Sequence, residues 1–566
     1  MAEQQLKVNI PKTMLIGTAF AGVSIAFAIF TPYFTIMLDR FLSLSPVVAS
    51  WNERFAGVPL LENFMATQGY GVGERFTIVP LLIGIVMTFI YVMGMIFQPI
   101  SGKISDNWKS RFGKRRPFIV VLMPLSAVFF VLMPFANTLT SLMIFMMIFS
   151  FLMAIYRVPT VSLMPDLTPS ELRSNANSYI SLMGGLGTIL GMGAGMLFEM
   201  IVRPDDQFEI FPHVFIFGAV IMLICTGTMY FVKEKDSRLL NTDALDERNA
   251  AAKTKSKKEK VTLTPKERRS LYFMLAGLFF LFSGSNVIQT FFALFAAEIL
   301  HRDVTFATIL MALFAVCAAG GAIPAGILGR KFGRRNTMIA GLCVIMAALA
   351  VFFGIFLTAS YRNGMNMNQY TTLNHAYVEV MEHTAQFNYE LPEGAQHLTM
   401  REYLELRTAE DPAAYAHFAE LSYAIFGETR PTLEAFDDIE QRIQSNIRSF
   451  NTLIFPVMVI AGFSSMMIMV NAMPLVVELG GKNRVGAFTG FYYIATYSAQ
   501  IISPIAYGFF RIFSGSYISL FYYAPVMFVI SAAALLFVRH GEANKDNRPD
   551  EPSAEEPLPT GGEATA

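Results

Sequence analysis

Lys103-Ile-Ser-Asp-Asn-Trp-Lys-Ser-Arg-Phe-Gly-Lys-Arg-Arg-Pro117 sets six basic side chains between two apolar runs, each long enough to cross a bilayer. Lys and Arg are retained on the cytoplasmic side of membranes, so the pattern reads as a cytoplasmic loop of a polytopic membrane protein. Its tail, Arg111-Phe-Gly-Lys-Arg-Arg-Pro117, returns 220 positions later as Lys331-Phe-Gly-Arg-Arg335. A charged loop repeated between membrane runs at that interval implies two similar halves.

Composition agrees. The chain has 566 residues, 54% hydrophobic, 13% aromatic and 15% charged, too apolar for an ordinary soluble domain. A helix needs roughly 20 mainly apolar residues to cross the hydrocarbon core. Twelve runs qualify, at 14–38, 77–101, 118–136, 140–163, 179–201, 212–232, 271–297, 304–328, 337–359, 450–474, 485–510 and 517–539. The expected fold is therefore an all-α polytopic membrane protein with twelve transmembrane helices in two pseudo-symmetric six-helix halves, numbered helix 1 to helix 12 in that order. The first run has no small-residue cleavage site and reads as a retained helix. Cys225, Cys317 and Cys343 all lie in apolar runs, which argues against a disulfide framework or a metal site.

The formal net charge of zero hides a strong segregation. With both termini cytoplasmic, all 16 lysines fall inside, and the inverted topology would put every one outside. Four divisions follow: a six-helix half at 1–232, a basic cytoplasmic linker at 233–270, a second half at 271–540, and a disordered cytoplasmic tail at 541–566. The linker carries 12 Lys or Arg and reads as solvated chain, not a nucleic-acid site. An external insert at 360–449 interrupts the second half, with 14 acidic residues, six arginines and no lysine. Apolar spacing predicts helices over 400–426 and 432–450, the second running into helix 10. The chain has no Asn-x-Ser/Thr sequon, which favours a bacterial inner membrane as the site of this integral protein.

Gly102, Asp106, Arg111, Gly113, Lys114, Arg115 and Arg116 match the signature loop of the major facilitator superfamily, and Gly326-Ile-Leu-Gly-Arg330-Lys-Phe-Gly333-Arg334-Arg335 is a compact copy in the second half. An acidic residue at a helix end can pair with arginines and with a neighbouring helix N-terminus, which would latch the cytoplasmic faces of the two halves together in one state, so these residues are gating candidates, with Asp166 of loop 4–5. The stretched first copy, ending Arg-Arg-Pro-Phe118, resembles the sucrose transporters of plants and the related animal sugar–proton symporters. Phe30-Thr-Pro-Tyr33 is similar to their Leu-Thr-Pro-Tyr element, and Ser162-Leu-Met-Pro-Asp-Leu167 to their Ala-Leu-Leu-Ala-Asp-Leu. Pro165-Asp-Leu-Thr-Pro169 followed by Arg173 also resembles the glycoside–pentoside–hexuronide cation symporters. The resemblance implies a functional monomer that carries a disaccharide such as sucrose or maltose by alternating access, in symport with a proton. The alternatives are a sodium-coupled or uncoupled carrier and, from another class, a membrane sugar sensor that uses the insert.

One departure redirects the coupling. The helix 4 aspartate of plant sucrose carriers falls on Ser150 here, and 77–101 contains no Asp or Glu. Glu199 and Glu298, near the outer ends of helices 5 and 7, are the remaining coupling candidates for a proton or sodium. Arg157 stands within helix 4, where an ionised group costs about 2.5–3.5 kcal/mol on insertion scales unless it meets a cavity or a partner. Sugar sites combine aromatic faces with amide and hydroxyl groups, which points to Tyr33, Arg157, Asn286, Gln289, Tyr493, Tyr497 and Gln500. No cofactor and no catalytic residue is expected, since no loop gathers the His, Cys or acidic clusters that an enzyme would need.

Overall fold

The computed structural model describes residues 10–56, 58, 77–108, 110, 112–167, 173–202, 207–232, 265–300, 302–362, 433–479 and 485–538. Twelve long helices take up nearly all of them: α1 Ile10–Ser43, α2 Val79–Asn107, α3 Arg116–Leu132, α4 Leu139–Leu167, α5 Arg173–Val202 and α6 Ile210–Thr228, then α7 Pro265–Ile299, α8 Val304–Phe332, α9 Arg334–Arg362, α10 Leu433–Leu479, α11 Val485–Ser514 and α12 Leu520–Leu536. A short helix, Pro46–Ala56, follows α1.

Eleven of the described helices are long and apolar enough to cross a membrane, and α11 is not among them. The remaining expected span, 485–510, is carried by α11, and the reason it is less apolar than the other eleven is visible in the helix itself. Tyr492, Tyr493, Thr496, Tyr497, Ser498 and Gln500 crowd its middle. Packing between α2 and α7 nonetheless places α11 inside the bundle. The expected boundary between linker and helix 7 at residue 270 moves back, because Pro265 opens α7 and proline suits a first helical turn. Helix α10 starts at Leu433, ahead of its apolar span, as the spacing over 432–450 predicts. Residues 233–264, the stretch 400–426 and the tail 541–566 lie outside the described residues.

The two-fold repeat is written in the helix pairs. In the first half α1 packs on α5 and α6, α2 on α4, and α3 on α4 and α6. Adding six to each index gives the pairs of the second half: α7 on α11 and α12, α8 on α10, and α9 on α10 and α12. The halves meet where α2 packs on α11 and α5 on α8, and the same operation exchanges these two seams.

The repeated loop is explained by geometry. Gly113 and Gly333 occupy matching places in the two copies and both have positive φ, 108° and 89°, where a side chain would be strained. The neighbouring arginines cap the last helix of each half. Arg116 Nη2 donates to the Tyr230 carbonyl just beyond α6 at 3.0 Å. Arg335 donates to the Leu535 and Leu536 carbonyls at the end of α12 at 2.8 and 2.6 Å. Cations there satisfy carbonyls that have no partner inside the helix.

Helix α5 lies on α1 through Gly184, Gly187, Gly191 and Gly195, whose spacing keeps them on one face. A Cβ at Gly187 would meet the backbone carbonyl of Ala21, whereas Gly185 and Gly193 face open space. Small residues let membrane helices approach this closely. Gly187→Ala is therefore expected to lower thermal stability in detergent by an overpacking cost of about 1–3 kcal/mol. Gly185→Ala should melt like the parent, and equal melting of both variants would refute the contact.

Candidate functional site

A cavity of about 510 Å³ lies at the centre of the bundle, lined from α1, α2, α4, α5, α7, α8 and α11. Five of the seven residues expected at a substrate site stand on its wall: Arg157, Gln289, Tyr493, Tyr497 and Gln500. The wall comes from one face of α11, where Tyr493, Thr496, Tyr497 and Gln500 recur at helical spacing. Ring centroids of Tyr493 and Tyr497 are 6.2 Å apart, and Tyr492 meets Phe282 of α7 edge-on at 6.1 Å. Arg157 reaches the cavity from α4 with its guanidinium 4.9 Å from the centre of the Phe27 ring, a cation–π contact. No ion pair to Arg157 is found among the described residues, and no carboxylate lines the cavity.

Asn286 and Tyr33 lie elsewhere. Asn286 is buried behind the wall, accepting from Tyr91 Oη at 3.0 Å and donating to the Gln500 carbonyl and Ser503 Oγ, each at 3.3 Å. It thus ties α2, α7 and α11 together beneath Gln500. Tyr33 is fully buried, edge-on to Phe211 at 5.0 Å, and close to Gly195 of α5. Sequence reasoning missed Phe27 and Tyr91, which line the cavity, and Gln98, whose Oε1 accepts from Tyr497 Oη at 2.6 Å. Gln98 is the lone amide of its span, a signal that could have drawn attention to it. Phe27 and Tyr91 carried no such mark among their apolar neighbours.

The carboxylates stand away from the cavity. Glu298 accepts from Arg511 Nη2 at 2.8 Å, Ser516 Oγ at 2.6 Å and the Tyr517 N–H at 2.9 Å. Arg511, at the edge of the run read as 485–510, is buried, with its guanidinium 4.5 Å from the centre of the Tyr517 ring. Glu199 is exposed on α5 and within electrostatic reach of Asp303 and Thr305 at the start of α8. Ser150, at the place of the aspartate of plant sucrose carriers, is buried and donates to Met146 Sδ at 3.4 Å.

The signature loop forms a compact ionic cluster. Arg115 Nε donates to Asp166 at 2.9 Å, while its other nitrogens bond Asp106, Ser105 and, at 3.5 Å, the Gly102 carbonyl. These bonds join the ends of α2 and α4 to the start of α3, all in the first half, whereas the latch reading expected a tie between the two halves; the three helix ends are neighbours in space, so the arginine is satisfied locally. Burial alone would lower the Arg115 pKa, but the bonds and charges of Asp166 and Asp106 outweigh it and hold it above its ordinary value. In the second copy the Gly333 turn is present. Arg111 and the side chain of Arg330 lie outside the described residues, and Arg334 opens α9.

Removing one partner of a buried ion pair strands the other charge, at a cost of about 3–5 kcal/mol. Glu298→Gln is accordingly expected to lose stability on that scale in detergent melting. Joint replacement of Glu298 and Arg511 by Leu and Met should recover most of it. A single variant that melts like the parent would show the pair to be dispensable.

The model of the Major Facilitator Superfamily matches residues 42–367, more than half of the chain. The tetracycline resistance protein, class H, of Pasteurella multocida is 26% identical over 267 residues, 46% of this chain and 61% of that protein. Multidrug resistance protein 2 of Bacillus subtilis (strain 168) is 25% identical over 306 residues, covering 52% of this chain and 71% of that protein. Among solved structures, the inward-open xylose transporter XylE from E. coli has a TM-score of 0.53 at 14% identity, covering 95% of this chain and 97% of that one. A bacterial homologue of the lysosomal transporter Spinster, inward-facing, has a TM-score of 0.51 at 12% identity, covering 94% and 95%. The helix pairs, the repeated loop and the family match agree: the chain belongs to the major facilitator superfamily, and is an integral membrane transporter rather than an enzyme.

Proposed function

We propose that this transporter is a secondary carrier that moves a glycoside, a disaccharide such as sucrose or maltose, by alternating access in symport with a proton. The observation that carries the reading is the cavity wall, where the tyrosine rings of α11 stand with the guanidinium of Arg157 and the amides of Gln289 and Gln500. A pyranose offers apolar C–H faces to such rings and hydroxyls to amides and to the planar fork of an arginine. The cavity volume is within the range of about 300–1,000 Å³ usual for small-molecule sites. The sucrose-carrier likeness of the Asp106–Phe118 loop and of Phe30–Tyr33 supports the same reading. The lysine distribution supports a cytoplasmic position for both termini, and the protein acts as a monomer in the bacterial inner membrane.

For coupling, the pair formed by Glu199 and Asp303 faces across the α5–α8 seam. Asp303 caps α8, accepting from the Thr305 and Phe306 N–H groups at 3.2 and 3.4 Å, so its carboxylate is engaged by the helix start. Glu199, exposed on α5, is then the proposed coupling carboxylate of the pair. Glu298 is paired with Arg511, which makes Glu199 the preferred coupling candidate of the two. The tetracycline and multidrug resistance proteins favour a second reading, export of a drug, in which the aromatic wall binds a flat apolar solute.

Counterflow of labelled mono- and disaccharides in proteoliposomes, with and without a pH gradient, tests the proposal. Arg157→Lys keeps the charge but loses the fork, and is expected to abolish uphill accumulation. Glu199→Gln should keep exchange and lose its pH dependence. Normal transport by Arg157→Lys would remove it from the site, and an unchanged pH profile in Glu199→Gln would favour a sodium-coupled or uncoupled carrier. Counterflow of tetracycline in place of every sugar would replace the glycoside reading with the second one.

The Arg115 cluster is proposed to gate by holding the ends of α2, α3 and α4 as one unit while the halves rock. Arg115→Ala and Asp106→Asn should reach the membrane at parental levels but transport at least tenfold more slowly, about 1.4 kcal/mol. Parental rates in both would remove the gating role.

A further inference from the structure

The second half of the bundle contains a cavity that a sugar would not use. It has a volume of about 120 Å³ and lies among α7, α8, α9, α10 and α12. Phe292, Phe295, Leu349, Ile454, Phe521 and Phe528 make up much of its wall. Polar side chains are few, and one of them, Ser465, donates to the Gly462 carbonyl of its own helix at 2.7 Å. Water needs two to four polar partners to be held in a cavity, and an apolar cavity of about 150 Å³ stays dry and takes benzene. This cavity has nearly that size and that lining.

Its position connects it to transport. Gln289, Met311 and Phe314 line both this cavity and the central one, so three side chains form the partition between them. Met311 is unbranched and flexible, the kind of side chain that yields to admit a ligand. A void of this kind deprives its lining of dispersion contacts, a loss that an occupant of matching shape removes.

We propose that this cavity is a binding site for an apolar, ring-sized hydrocarbon group, distinct from the polar transport cavity and separated from it by Gln289, Met311 and Phe314. Such a group has two sources. It arrives as a free lipophile from the bilayer, or as the apolar substituent of a solute whose polar part lies in the central cavity. The site does not depend on the glycoside reading, because its lining selects for the apolar group alone.

The test uses the full chain in lipid nanodiscs, free of glycoside detergents, with fluorobenzene as the probe. Fluorine NMR should show a saturable bound signal, apart from the lipid-partitioned signal that grows linearly with concentration. Ala461→Phe and Ser465→Leu, one turn apart on α10, each fill the cavity and are expected to reduce saturable binding at least tenfold. No saturable signal in the parent would overturn the proposal, as would undiminished binding in both filled variants. Two variants and the parent titration together keep the test decisive if one substitution impairs folding.

Calorimetry with methyl and phenyl glucosides separates the sources. A phenyl preference of tenfold or more that Ala461→Phe removes would place the ring of a transported solute in the cavity. Equal affinities, with fluorobenzene still bound, would assign the site to a free lipophile and leave the glycoside reading untouched. Fluorobenzene binding without binding of either glucoside would keep the apolar site and count against the glycoside reading alone.

Discussion

The seam between α2 and α11 is the constraint from which the central cavity follows. Gly84 faces the backbone of Pro504, and Gly508 faces the backbone of Pro80, so closely that a Cβ at either would overlap main-chain atoms. Thr88 Oγ1 bridges the same seam, donating to the Ile501 carbonyl at 3.0 Å. A main-chain contact leaves little freedom of rotation about either helix axis. With α11 held in this way, its face from Tyr493 to Gln500 turns inward, Tyr497 meets Gln98, and Asn286 settles against Tyr91 and Gln500. The polarity of that face, costly against lipid, is accommodated because it lines a cavity.

Three arginines show three solutions to the problem of charge in an apolar bundle. Arg511 is buried and compensated by Glu298, with its Nε and Nη1 lacking hydrogen-bond partners among the described residues, so neither member is lost alone without cost. Arg115 is buried at a helix start but draws on Asp106 and Asp166, both more exposed than itself. Arg157 relies on the Phe27 ring and on the cavity. The first two are matched by protein groups, while the third presents its hydrogen-bonding capacity to whatever enters. That difference, rather than basicity, sets Arg157 apart.

The two halves solve their shared problems with shared parts. Each turns its second loop into a helix start through a positive-φ glycine and uses an arginine to cap its last helix. They differ in the side chains they bring to the interior. The first half brings Arg157 and the glycine face of α5, and the second brings the tyrosine face of α11 and the apolar cavity. A pseudo-symmetric scaffold thus holds an asymmetric interior.

Hydropathy and charge placement alone located the spans, the two-half repeat and the basic loops, because the cost of a side chain in lipid depends on its own chemistry and not on its neighbours. Run 485–510 was among those spans and α11 carries it, although its polar face makes it less apolar than the other eleven and is accommodated through packing against α2 and α7. Facing was beyond the reach of sequence: Arg157 and Gln289 reach the cavity, Asn286 stands just behind it, and Tyr33 is buried elsewhere. Glu298 carried no sign in the sequence of its partner Arg511, which lies 213 positions further along the chain and is brought against it by the packing of α11 on α7. Residue identity determined which segments enter the membrane. The tertiary structure decided which polar groups meet each other and which are left facing a cavity, since that depends on helix rotation, and rotation is set by contacts between segments distant in the chain.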